Sequence, residues 1–347
     1  MMKEAKKKVD NKNSNNKGLP MKKSKHTPHE DHPIILAPKI DKLSGVVNLP
    51  NQELGQQAFS TLLEWSEDPQ EPVTKVGAKG KYSLAVLLHY PNTESLVDGN
   101  SHFIHIQIIN TKAGASQIRF DYNPSYISEV AEDYLDTYFT ALVGASFYQF
   151  LHHATFTRVD WCRTIPNRDM EDYLVSMKWQ KHSLAHFTPQ TGKIGSLTFG
   201  KSSGNQLQVY NKAKQLYGEV ATHNSIRLEA RVRMRGGILG LATMPNPFRH
   251  TSLYSVHCPQ PPYGEAHWRG FVDSCRLRGI PHAIKMQPAS HRAKLKQALS
   301  AKPVSWWHMT DEAWEYYSTA ALEDAGLTQI PNYAPPLTMK NAVGEAA

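Results

Sequence analysis

Across residues 226–234 the chain alternates without exception. Ile226, Leu228, Ala230, Val232 and Met234 are apolar, and Arg227, Glu229, Arg231 and Arg233 between them are charged. Successive side chains of a strand point to opposite faces, so this segment is a strand with one apolar and one charged side. Such a strand belongs in an antiparallel sheet that packs on a core through one face and meets water through the other. This sets the terms for the rest of the chain, because its strand-like neighbours must supply the same two faces.

They do. Residues 82–89 are β-branched and apolar. Residues 103–109 put Ile104, Ile106 and Ile108 on one side and Phe103, His105 and Gln107 on the other. Gln117–Tyr122 sets Ile118, Phe120 and Tyr122 against Gln117, Arg119 and Asp121. Further strands are expected at 154–162, 195–199 and Gln206–Asn211, separated by Gly, Ser and Asn turn signals. A long helix is expected after Tyr122, with Asn123 as its cap and Pro124 in its first turn. Ile127, Val130, Tyr134, Leu135, Tyr138, Leu142 and Val143 form its buried stripe. Residues 169–179 read as a short amphipathic helix, and 265–325 as helical.

This order of strands, helix, strands and helices predicts an α+β fold: a largely antiparallel β-sheet catalytic domain with packed helices, not a doubly wound one. The expected domains are a disordered basic tail (1–32), the α+β domain (33–243), a Pro-rich linker or crossing (244–264) and a helical C-terminal region (265–347) that is basic in its first half.

Charge adds the next constraint. The 347 residues carry a net +8, and nine lysines against Glu4 and Asp10 place most of it in residues 1–26. A second basic stretch, 268–296, holds Arg269, Arg276, Arg278, Lys285, Arg292, Lys294 and Lys296 against Asp273 alone. This pattern points to polyanions, most simply nucleic acid. No apolar run is long enough for a membrane span, and the start of the chain is polar. Cys162, Cys258 and Cys275 form no C-x-x-C pair, so a reducing cytoplasm is the expected compartment, without a disulfide framework.

The polar sides of three strands carry the chemistry. Period two puts Phe156, Arg158 and Asp160 on one face, Tyr210 on the polar side of its strand, and Arg227, Glu229, Arg231 and Arg233 on the polar side of theirs. Taken singly, each residue suits a solvated strand. Together they suit phosphodiester chemistry. Two carboxylates can hold a divalent metal, which polarises a phosphoryl oxygen. Arg158, Lys212 and Arg227 can balance the charge of the transition state. A tyrosine hydroxyl can attack phosphorus and store the bond as a phosphotyrosine.

In order, Thr157-Arg-Val-Asp160, Ser196-Leu-Thr-Phe-Gly-Lys-Ser-Ser203, Leu207-Gln-Val-Tyr-Asn-Lys212 and Ile226-Arg-Leu-Glu-Ala-Arg231 resemble the replication initiation factor family. These are rolling-circle replication initiators of plasmids and filamentous phages. The resemblance spans roughly residues 80–300, with Tyr122-Asn-Pro124, Trp268-x-x-Phe271 and Arg276-Leu-Arg-Gly-Ile280 beside the four motifs. It implies an endonuclease that nicks one strand at the double-strand origin of its own replicon. The enzyme stays on the 5′ phosphate through tyrosine and later rejoins single-stranded DNA. Carried over by position, Tyr210 is the nucleophile, Lys212 and Arg227 act on phosphate, and Asp160 and Glu229 hold Mg²⁺ or Mn²⁺. By analogy a host helicase and a second subunit are partners, and a membrane is not.

Gln215 departs from the family, which often has an acid at that position. Tyr217 follows Tyr210 by seven residues and reads as packing. No His-x-His pair exists. His102-Phe-Ile-His105 spaces its rings onto opposite faces of a strand, which favours a carboxylate-dominated site with His105 as a third ligand. The Gly200-Lys201-Ser-Ser turn can offer Lys201 and backbone N–H groups to phosphate. Arg158, Lys201, Arg231, Arg233, Arg269, Arg276, Arg278 and Arg292 are the expected DNA contacts. No Walker-type loop is present, so no helicase motor is encoded. Two other readings fit the same residues: a non-catalytic DNA-binding regulator or repressor, and a metal nuclease that uses water.

Overall fold

The computed structural model describes residues 34–91, 102–109, 117–178, 182–187, 194–218, 221–301, 304, 307–328 and 337. Its strands are β1 (Lys39–Asn48), β2 (Val73–Val76), β3 (Leu84–Tyr90), β4 (His102–Ile109), β5 (Gln117–Tyr122), β6 (Thr155–Pro166), β7 (Tyr173–Met177), β8 (His182–Phe187), β9 (Ile194–Phe199), β10 (Gln206–Asn211), β11 (Ser225–Gly236) and β12 (Thr251–Ser255). Ten of them form one sheet in the order β2-β3-β4-β5-β1-β6-β11-β10-β9-β8, with every neighbouring pair antiparallel. β7 and β12 form a separate two-stranded ribbon. The expected α+β class with a largely antiparallel sheet is the observed one.

The first strand sits in the middle of the sheet. β1 is hydrogen-bonded to β5 on one side and to β6 on the other, so it joins the meander β2–β5 to the motif-bearing strands. Its Gly45 passes so close to Phe120 that an added Cβ would lie 2.5 Å from the ring's Cζ. Only glycine lets the two central strands meet over that ring.

One face of the sheet is the core. Ile104, Ile106 and Ile108 of β4 are fully buried, as the alternation requires, and so are Phe120, Trp161 and Leu228. Helices Gln52–Glu67, Glu129–Val143 and Phe147–His152 supply the opposite wall through Leu54, Leu62, Leu135, Phe139, Phe147 and Phe150. Each large apolar side chain so buried stabilises the fold by roughly 1.5–3 kcal/mol. Helix Asp311–Asp324 joins the same core. Its Trp314 meets Trp161 edge-on at 4.9 Å and donates to the Met244 carbonyl.

Three local expectations need correction. The long helix starts at Glu129, capped by Ser128. Asn123 and Pro124 instead open a short 3-10 turn, Pro124–Tyr126. The helix buries Ala131 and Phe139, while Val130, expected in the stripe, is exposed. The helix cap lies five residues beyond Asn123 because the Ser128 hydroxyl accepts the Ala131 N–H there. Residues 169–179 do not form a helix; a 3-10 turn leads into β7, because Leu174 is needed in a second core. The Pro-rich stretch contains β12, which pairs with β7. β1, helix Gln52–Glu67, β2 and β8 had no counterpart in the sequence reading.

The second core lies under helices Glu265–Arg278, Ile280–Met286 and Ala289–Ser300. Trp268, Phe271, Val272, Leu295 and Leu299 pack there on Leu174. Among the described residues no helix is long and apolar enough to cross a membrane.

Candidate active site on the polar face of the sheet

The face opposite the core is polar, and the strand register lines its residues up in rows. One row runs Lys42–Asp160–Arg231–Gln206 across β1, β6, β11 and β10, and the next runs Cys162–Glu229–Gln208–Thr198 across β6, β11, β10 and β9. A third pairs Thr164, Arg227 and Tyr210. Asp160 and Glu229 are therefore diagonal neighbours on adjacent strands, which places their Cα atoms about 7–8 Å apart. Tyr210 stands one row beyond, on the strand next to Glu229.

The contacts follow the rows. The Tyr210 hydroxyl donates to Glu229 Oε2 at 3.2 Å. Arg158 grips Asp160 through two nitrogens, with Nε at 2.7 Å from Oδ1, and Arg231 Nε lies 3.6 Å from the other oxygen. Arg227 pairs with Asp41 and donates to Cys162 Sγ at 2.9 Å. Farther along, Asp121 accepts from Ser44, with Lys42 and His105 Nδ1 each at 3.9 Å. Asp41, Asp121, Asp160, Glu229, Arg158 and His105 line one cleft of about 860 Å³, whose far end is walled by Tyr90, His102 and Tyr126. Tyr210 is only 7% exposed and lies behind Glu229, outside the cleft wall.

Burial dominates the electrostatics. It raises the Glu229 carboxyl above its ordinary range, helped by the Asp41 and Asp160 carboxylates and opposed by Arg227. It also holds the proton firmly on Tyr210; Arg227 pulls the other way, and Glu229 reinforces burial. Lys212, half buried, is lowered by burial and then by Arg227, and its ammonium donates to Gln215 at 3.1 Å. Burial pushes the Cys162 thiol up to about 11 against the pull of Arg227. It lowers His105 as well, against the opposing pull of Asp121.

The structure thus brings Tyr210, Glu229, Arg227, Asp160, Arg158 and Arg231 together. Lys212 starts the short helix Lys212–Tyr217 just after Tyr210. His105 lines the same cleft but belongs to Asp121, three strands from Asp160. Among the described residues no three His, Cys, Asp or Glu side chains converge as metal ligands. Asp160 is held by two guanidiniums, Asp41 by one, and Glu229 by a tyrosine hydroxyl. As arranged, His105, Asp160 and Glu229 do not fit the expected Mg²⁺ or Mn²⁺ ligand set.

Several expected DNA contacts point elsewhere. Arg276 is 8% exposed and turned inward, bonded to Glu171 and Asp273. Arg292 donates to the carbonyls of Gln287 and Lys285, closing the end of the preceding helix. Arg269 pairs with Glu265 one helical turn away, and Arg278 is exposed. Lys201 is exposed in the β9–β10 turn, away from the cleft, where Arg233 reaches the Ser202 carbonyl. Tyr217 is not packing: it is half exposed beside His223.

Sequence reasoning missed Asp41 and Lys42. β1 carries two register shifts, at Ile40/Lys42 and Ser44/Gly45, and these break the period-two signal that would have exposed the strand. Asp121 was legible on the polar side of its strand, but only the sheet order brings it beside Ser44 and the central strands.

No protein-family model matches the chain. No curated protein matches it either. Among solved structures it is similar to the rolling circle replication initiator protein from Geobacillus stearothermophilus, at 11% identity and a TM-score of 0.37. That match covers 71% of this chain and 98% of the other.

Proposed function

We propose that the polar sheet face nicks and rejoins DNA through Tyr210, as a rolling-circle replication initiator does. The observation that carries this reading is the Tyr210–Glu229 hydrogen bond, set one row from a carboxylate held by two arginines, with Glu229 in the wall of the cleft. A buried neutral tyrosine is a poor nucleophile unless a base takes its proton. Glu229 is in reach at 3.2 Å, and its raised affinity for protons suits that task.

In the proposed step the Tyr210 oxygen bonds to phosphorus, its proton passes to Glu229, and the bond from phosphorus to the 3′ oxygen breaks. The 3′ oxygen leaves and takes a proton from solvent water, while the 5′ phosphate stays on the tyrosine. Arg158, Arg227 and Arg231 lie where negative charge develops. The ring must turn out from behind Glu229 for the attack. Rejoining runs the same step backwards, with Glu229 returning the proton.

The test is an adduct assay on DNA of the protein's own replicon, supercoiled and single-stranded, with Mn²⁺ present and a denaturing gel as readout. Wild type is expected to give a protease-sensitive protein–DNA band, and Tyr210→Phe none, while DNA binding persists. Phe keeps the buried ring and removes one hydrogen bond, about 1 kcal/mol, so the fold survives. An unchanged adduct yield in the variant removes Tyr210 from the role. Cleavage without adduct makes water the nucleophile, and binding without cleavage leaves a DNA-binding regulator.

A further inference from the structure

A second groove opens on the same sheet face, of about 440 Å³, and no carboxylate lines it. Its walls carry Lys81, Arg119, Arg158, Arg233 and Arg235, with Tyr82 at one end. They come from β5, β1, β6 and β11, four adjacent strands, and from the segment before β3. Four strands span about 14 Å. Arg158 lines this groove and the active-site cleft alike, so the two adjoin at its side chain.

We infer that this groove holds the phosphodiester backbone of the single DNA strand that enters the Tyr210–Glu229 site; the inference rests on the function proposed above. Three observations converge on it. Arg158 and Arg233 stand directly opposite each other in the β6–β11 register. Like charges so placed destabilise a sheet. The Asp160 carboxylate offsets Arg158, whereas among the described residues the Arg233 guanidinium donates to the Ser202 carbonyl and meets no carboxylate. A polyanion running between them removes the repulsion.

Both strand pairs are also irregular at this point. Register shifts fall at Ser44/Gly45 in the β1–β6 pair and at Arg233/Gly236 in the β6–β11 pair. Bulges re-aim side chains, and here they accompany an exposed Arg235 in the groove wall. Finally, Tyr82 is partly exposed, with the Lys81 ammonium 5.8 Å from its ring centre. A cationic groove with an aromatic ring beside it is the chemistry that holds single strands, through phosphates and one stacked base.

The experiment removes chemistry from the question. Tyr210→Phe protein in EDTA is titrated with a fluorescein-labelled oligothymidylate, and anisotropy is followed across a range of salt. Lys81→Glu/Arg235→Glu is added to that background. Lys75→Glu/Arg249→Glu, exposed and outside both the groove and the cleft, serves as the charge-matched control. The groove variant is expected to lose at least about tenfold in affinity at low salt and to flatten the log–log salt slope by about 1.4, two single-strand contacts at about 0.7 each. The control is expected to keep both. Lys81→Gln/Arg235→Gln, with far-UV circular dichroism, reports the same loss without charge reversal. Groove variants that bind within twofold of the parent, with unchanged slope, overturn the inference, and so does a loss confined to the control. If the groove variants lose binding but wild type never forms an adduct, the groove stands and the nicking reading falls.

Discussion

Arg276→Ala separates two roles that the sequence alone cannot tell apart. Its motif lies in the most basic part of the chain outside the tail, where a DNA contact is the natural reading. In the fold its guanidinium is 8% exposed. Nη1 lies 3.1 Å from Glu171 Oε2 and 3.3 Å from Asp273 Oδ1, and Nη2 donates to the Glu171 carbonyl. The interactions are unequal. Asp273 is 65% exposed and contributes about 0.5 kcal/mol or less. Glu171 is 30% exposed, so water recovers part of its solvation when the partner leaves. Breaking a fully buried pair costs about 3–5 kcal/mol. With that recovery, about 2–3 kcal/mol is expected here, or about 3–5 °C in Tm for a domain of this size. Thermal unfolding by circular dichroism reads the loss, and oligonucleotide anisotropy well below Tm is expected to be unchanged. Arg276→Lys keeps the charge without the planar fork and is expected to recover less than half of the stability. A variant that melts with wild type but loses DNA affinity and salt dependence would refute the inward placement.

Two further outcomes follow from the central strands. Gly45→Ala forces a Cβ against Phe120, which is fully buried, and is expected to cost about 1–3 kcal/mol in urea unfolding; a cost below about 0.5 kcal/mol would mean β1 does not cross that ring. Glu229→Gln is expected to stabilise the metal-free protein near pH 7. Burial and the Asp41 and Asp160 charges raise the folded-state pKa, so the wild-type fold binds more protons than the unfolded chain and loses stability as pH rises from the ordinary carboxylate value through the raised one. The variant's advantage should therefore shrink toward pH 4, and urea titrations at both pH values that differ from wild type by the same amount would contradict the assignment.

What was legible in the sequence was the two-faced strand. Alternation in β4, β5, β10 and β11 gave their faces correctly, because a one-residue slip would put every charge in the core. That sufficed to place Arg158, Asp160, Tyr210, Arg227 and Glu229 on polar sides and to anticipate the fold class. Helix phase was less legible, since Val130 and Ala131 are both tolerable in a stripe and only packing against the sheet decides between them.

Which polar sides meet was decided by tertiary structure. Strand order cannot be read from period two, and it is the insertion of β1 between β5 and β6 that carries Asp41 to Arg227 and Asp121 to Ser44. Partnering likewise turned Arg276 inward and Arg292 onto carbonyls, although in sequence they look like Arg278. An arginine's charge is fixed by its covalent structure. Whether that charge is spent on the fold or left for a phosphate depends on which carboxylates and carbonyls the packed chain sets beside it.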